Sequence, residues 1–210
     1  MASGLDIIKN VKLEKTVINL EKHRFEVFVV EDEETARIQI KKLIAEGSSV
    51  NIGGSETLHE IGMIEELDKM NIEFQNRYAE GADKPLIYQQ AFSCDTYIAS
   101  ANAITQTGEI YNVDGYGNRV APMIFGPKQV LVVAGWNKIV RTMDEAVKRV
   151  QQIAAPANCE RLKKDTPCRI IGECADCMSE ERICNTYVTH TRSVIKHRIK
   201  VILIKKDLGF

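Results

Sequence analysis

The chain has 210 residues, 44% of them hydrophobic, and its 28 basic and 29 acidic side chains leave a formal net charge of −1. That size and apolar content support one ordinary buried core, and charges interspersed along the chain exclude the electrostatic footprint of a nucleic-acid or anionic-membrane binder. No apolar run reaches the roughly 20 residues needed to cross a bilayer, so membrane insertion is not expected.

The opening segment MASGLDIIKNVKLEKTVINLEKH places apolar residues every three or four positions between charges. That is the period of an amphipathic helix over residues 5–20, not the continuous apolar core of a signal peptide, and a cytoplasmic protein is expected. A β-branched and aromatic run predicts a strand over 25–30, followed by a charged helix over 33–45 and a short buried strand over 49–53. Leu58, Ile61, Ile64 and Leu67 mark one face of a helix over 58–70, with Gly53 and Gly54 as the turn before it. Further strands are expected at 96–100, 110–113, 130–134 and 200–204, and helices at 86–93 and 143–154. Alternation of strand and helix, with near-continuously apolar strands such as VLVVAG, predicts a three-layer α/β domain: a mostly parallel sheet with helices on both faces. The whole of 1–210 reads as one domain, with a Cys-rich C-terminal subregion and closing strand over 155–210.

Ligands of such sheets bind at loops beyond the strand C-termini, and three segments fall there. In NIGGSETLHEIG the strand enters its helix through Gly53 and Gly54, followed by Ser55 and Thr57. Free backbone N–H groups and two hydroxyls at that position suit a phosphate or carboxylate. The plainer alternative is that Ser55 or Thr57 only caps the helix, with Glu60 completing a capping box from Thr57. In ANAITQTGEIYNVDGYGNRVAPMIFGPK, the residues Asn102, Asp114, Gly115, Asn118 and Arg119 crowd among glycines. Asp114 is the candidate catalytic base and Arg119 the candidate anion clamp, against a hairpin turned at Asp114-Gly115. Val120 stands where a dinucleotide fingerprint needs its third glycine, which removes nicotinamide binding as a reading of this loop. In GWNKIV, Lys138 lies just past a strand end as a further anion-binding candidate, and Trp136 is either a lid or a core anchor.

The fourth segment is TPCRIIGECADCMSEERICN, with Cys168, Cys174, Cys177 and Cys184 within 17 residues. Four thiols in a short stretch, two of them in a Cys-x-x-Cys bite, are hard to explain by packing and point to a metal centre. The irregular spacing favours an iron–sulfur cluster over zinc, with unmetallated or redox-active thiols as the remaining alternative. Cys94 and Cys159 lie outside the run and read as small buried residues.

These segments, together with AAPANCERLKKDTPC and a closing strand that ends in LGF, resemble the LUD (lactate utilisation) domain family over most of the chain from Phe25 onward. The resemblance implies a fold like that of ribose-phosphate isomerases, glucosamine-phosphate deaminases and CoA transferases. It also implies an iron–sulfur-dependent system that oxidises L-lactate or a related 2-hydroxy acid, with iron–sulfur redox proteins as partners. Two other functions compete: a non-catalytic binding or regulatory module stapled by a metal, and a sugar-phosphate isomerase or CoA-transferase-like enzyme. A small anionic substrate or cofactor is common to the first and last.

Overall fold

The computed structural model describes residues 3–210. Its centre is a six-stranded sheet in which every neighbouring pair is parallel. In spatial order it runs β1 (Glu26–Val30), β10 (Ile199–Ile204), β7 (Gln129–Gly135), β4 (Thr96–Ala99), β2 (Ser49–Ile52) and β3 (Glu73–Gln75). Side chains on a strand alternate between faces, so a sheet buried on both sides needs apolar residues at every position. β7 meets that demand: Val130, Val132 and Ala134 enter one core with Leu20, Phe25 and Tyr97. Leu131 and Val133 enter the opposite core with Ile40, Leu58 and Met63.

Helices close both faces. On the first, α1 (Gly4–Lys22) contributes Leu13 and Leu20, and its start is fixed by a reciprocal capping box between Ser3 and Asp6. On the second lie α2 (Glu33–Leu43), capped by Asp32 and Thr35, then α3 (Glu56–Glu60) and α4 (Met63–Leu67). The helix expected over 58–70 is therefore two helices. Gly62 adopts φ 64° and turns the chain between them, a left-handed conformation that only glycine takes without strain.

A second sheet, not anticipated, stands beside the first. Its order is β8 (Ile139–Val140), β5 (Ala103–Thr105), β6 (Ile110–Asp114) and β9 (Thr186–His190), with β5–β6 and β6–β9 antiparallel. The strand expected at 110–113 belongs here and not to the parallel sheet. Ala103 and Tyr111 pack on α7 (Met143–Arg149) and on the π turn Val150–Ala154 that continues it. That turn leads directly into α8 (Ala155–Arg161), so the expected start of a C-terminal subregion falls inside one helical run. After α9 (Pro167–Ile171) the chain pairs β9 with β6, then inserts β10 between β1 and β7. The last 50 residues thus complete both sheets.

Candidate anion-binding cleft

Beyond the C-terminal ends of β2, β4 and β7 a cleft of about 280 Å³ opens against the second sheet. Four of the residues singled out in sequence come from the parallel sheet's loops: Gly54, Ser55, Asn102 and Lys138. Asp114, Gly115, Asn118 and Arg119 reach the same cleft from the end of β6. Gly53 and Thr57 stand just behind this wall. A Cβ on Gly53 would lie 2.7 Å from both Arg119 Cγ and the Tyr97 hydroxyl, so no larger residue fits without displacing one of them.

Lys138 forms the floor. It is carried by the 3-10 turn Trp136–Lys138 at the end of β7, and only 3% of its surface is exposed. Its Nζ donates to Thr57 Oγ1 at 2.9 Å and to Ser100 Oγ at 3.1 Å, and among the described residues it forms no salt bridge. Burial, reinforced by the positive charges of Arg149 and Arg119, lowers its pKa to about 7, against smaller opposing effects from Glu60 and Glu56. An ammonium group without a close anion in such a place is poised to lose its proton near neutrality.

The glycine loop is built differently from the simplest anion cradle. Ser55 caps α3 through its hydroxyl, which accepts Leu58 N–H at 3.2 Å. Thr57 is fully buried and turned to Lys138. The capping box proposed from Thr57 to Glu60 is absent, because Glu60 Oε2 instead accepts the Gly209 N–H at 2.6 Å. That bond draws the chain's last residues over the floor. Gly209 has φ 58°, and a Cβ there would come within 2.5 Å of Thr57 Oγ1 and 3.1 Å of Lys138 Nζ.

Asp114 and Arg119 are braces in this geometry. The Asp114 carboxylate accepts backbone N–H groups from Gly115, Arg119 and Val120 at 3.1, 2.9 and 3.3 Å. It closes the loop into α6 (Val120–Ile124), and the hairpin turn lies earlier, at Gly108 between β5 and β6. The Arg119 guanidinium donates to Ser100 O, Asn112 Oδ1, Asn102 Oδ1 and Val113 O. Burial lowers its pKa, offset by Asp114. Arg149 adds a second brace by donating to Asn102 O at 2.6 Å and Asn137 O at 3.2 Å. Trp136 does not line the cleft; Lys9 of α1 stacks on its ring at 4.5 Å.

Arg77, Ser100, Asn158, Arg161 and Phe210 also line the cleft, although none of them was a candidate ligand in the sequence. Arg77 approaches Gly54, lies over the Tyr88 ring at 4.8 Å and donates to its hydroxyl at 2.8 Å. Arg161 stands at the end of α8, 3.5 Å from Glu56. Three arginines, Arg77, Arg119 and Arg161, and the partly protonated Lys138 therefore face two carboxylates, Glu56 and Asp114, so the cleft favours an anion.

The six cysteines are all free thiols. Among the described residues no group of three or more His, Cys, Asp or Glu side chains is arranged to hold a metal ion. Cys168 is buried and its Sγ lies 3.4 Å from Thr166 Oγ1, while Cys174, Cys177 and Cys184 are partly exposed. Cys174 is pinned by its N–H to Gln151 O, and its Sγ accepts from Asp176 N–H. Cys159 is buried, as expected, and it lies near Cys168: burial raises its thiol to about 11, with a lowering hydrogen bond from Thr166 and raising effects from Cys168 and Cys184. Cys94 is isolated in the core and burial lifts it to about 12.

The profile of the LUD domain matches residues 13–204. The chain belongs to the LUD domain family. That family is linked in general to lactate utilisation systems. A DUF162 family protein from Deinococcus radiodurans has a similar structure, with a TM-score of 0.52, 14% identity, and coverage of 93% of this chain and 98% of that one. Ribose 5-phosphate isomerase A from Neisseria gonorrhoeae gives a TM-score of 0.34 at 14% identity, over 55% of this LUD protein and 57% of the isomerase. No curated protein matches the sequence. No helix among the described residues is long and apolar enough to cross a membrane.

Proposed function

We propose that this LUD protein binds a small carboxylate, L-lactate or a related 2-hydroxy acid or its 2-oxo counterpart, in the cleft and handles its proton through Lys138. The observation that carries this reading is the floor lysine, buried, held by two hydroxyls and set among arginines. Arg77 and Arg161 receive the carboxylate. Asp114, nominated in sequence as the base, has its oxygens occupied by three N–H groups, and its role is to fix the loop that carries Asn118 and Arg119. The proposed kinship with isomerases, deaminases and CoA transferases rests on the glycine loop between β2 and α3.

The redox part of the reading belongs to the cysteines. Cys168, Cys174, Cys177 and Cys184 are proposed to take an iron–sulfur cluster, or zinc, and to face an iron–sulfur redox partner. Residues 173–185 carry no helix or strand, and gathering the four sulfurs requires that stretch to move. Thiolate ligation would supply the ordering energy such a stretch lacks.

Calorimetric titration with L-lactate and with pyruvate tests the cleft. Saturable binding is expected at low salt, weakened about tenfold or more in Arg77→Ala and Arg161→Ala, with the difference shrinking at high salt because exposed charge contacts are screened. Equal affinities in parent and variants at low salt, or no binding to the parent, would refute the assignment.

A further inference from the structure

The floor of the cleft carries chemistry beyond proton transfer. Thr57 Oγ1 and Ser100 Oγ take two of the hydrogens on Lys138 Nζ, and each hydroxyl has a backbone carbonyl in reach for its own proton, Leu208 O at 3.5 Å and Ala101 O at 3.4 Å. The nitrogen is thereby oriented, and its third tetrahedral position holds a proton or, once that is lost, a lone pair. The nearest carboxylates are engaged elsewhere, Glu56 with Arg161 and Glu60 with Gly209 N–H. At pH 7 an exposed lysine is neutral in roughly one molecule in a thousand or fewer. Lys138, with its pKa lowered to about 7 by burial and by Arg149 and Arg119, is neutral in a large fraction.

We propose that Lys138 is a covalent nucleophile toward small anions that carry a carbonyl group, forming an imine at Nζ. The nitrogen lone pair makes a bond to the carbonyl carbon. The carbonyl oxygen then departs as water with the two hydrogens of the amine, and the C–O bond is replaced by C=N; nothing is oxidised or reduced. The Thr57 and Ser100 hydroxyls stand where they relay those hydrogens, and Arg77 and Arg161 hold the anionic group at the cleft wall. A lysine kept neutral by burial among cations is an established route to an activated amine. This inference rests on the cleft reading above and adds to it a covalent step and a substrate class, carbonyl compounds bearing either a carboxylate or a phosphate.

Trapping tests it. The full-length protein is incubated at pH 7 with pyruvate, or in a parallel arm with dihydroxyacetone phosphate, in the presence of cyanoborohydride, and its peptides are mapped by mass spectrometry. A reduced adduct is expected on the Lys138 peptide at ten times or more the level on the exposed Lys84 and Lys148, and Lys138→Arg should abolish that excess. The arm that labels identifies the anionic group as carboxylate or phosphate. Labelling of Lys138 no greater than that of Lys84 and Lys148 in both arms overturns the nucleophile. If pyruvate nevertheless raises the melting temperature of the parent, the anion cleft stands and only the covalent step falls. If it does neither, both readings fall together.

Discussion

Lys138 is the residue on which the proposed chemistry turns, and its burial has a thermodynamic signature. Its pKa is lowered to about 7 in the folded chain from an ordinary 10.5, so between those two values the unfolded chain binds more protons and stability rises with pH. Below about pH 7 both states are protonated and the full cost of the buried charge applies. Lys138→Met removes the titration while filling similar volume. The variant should therefore be more stable than the parent at pH 7, by an amount on the order of a few kcal/mol, and that advantage should fade toward pH 10. Parallel stability–pH curves from denaturant unfolding of the two proteins would show that the amine is not desolvated.

Lys138 was visible in the sequence because it follows VLVVAG, whose uniform apolarity marks a central parallel strand, and ligand sites lie past the ends of such strands. Asn102, Asp114 and Arg119 were visible as a dense polar group, yet their roles were not. Whether a carboxylate is a base or a brace depends on which N–H groups the fold aims at it, and those of Arg119 and Val120 come from the start of α6. Neither Arg77 nor Arg161 was singled out in the sequence as a ligand, although Arg161 lies in the segment AAPANCERLKKDTPC that shares the family resemblance. Each lies in a charged stretch and reaches the cleft only through tertiary packing.

Among the elements, β7, β4 and β10 were legible from apolar runs, whereas β5 and β3, at three residues each, are too short to impose a period. The same limit hid the second sheet, since β9 (TYVTH) alternates partly buried and exposed residues without a strong apolar face. His190 closes that strand. Both its ring nitrogens are buried without a hydrogen-bond partner, and burial together with the charge of Arg198 lowers its pKa to about 4. The folded chain thus holds His190 neutral, and stability is lost as pH falls from about 6.5 toward 4, where the unfolded chain takes up the proton first. Melting temperatures over that range should fall more steeply for the parent than for His190→Leu, by the equivalent of at most about 3 to 4 kcal/mol. Identical slopes would place the imidazole in contact with solvent.

At the scale of the whole molecule, the alternation of elements implied a parallel sheet covered on both faces, and the two cores on either side of β7 have that form. The C-terminal subregion expected over 155–210 is tied into both sheets of the domain. Covalent continuity through the π turn into α8, pairing of β9 with β6 and insertion of β10 beside β7 make the cysteine-bearing segment part of the cleft's own frame. Asn185 fastens it by donating its backbone N–H to Asp114 O at 3.0 Å and its Nδ2–H to Gly115 O at 3.2 Å. Ile183, one residue from Cys184, lines the cleft. Metal loading of the cysteines should therefore be felt in the cleft. Protein purified without oxygen is expected to carry iron or zinc that Cys177→Ser lowers and Cys94→Ser leaves unchanged; absence of both metals from the parent would remove the metal centre from the scheme.

The claim that this cleft is the binding site meets its most direct test in a crystal soaked with L-lactate. The carboxylate is expected against Arg77 and Arg161, with the 2-hydroxyl toward Lys138 Nζ at the floor formed by Thr57 and Ser100. An ordered lactate bound elsewhere on the molecule, with the cleft holding only water at a saturating concentration, would contradict it.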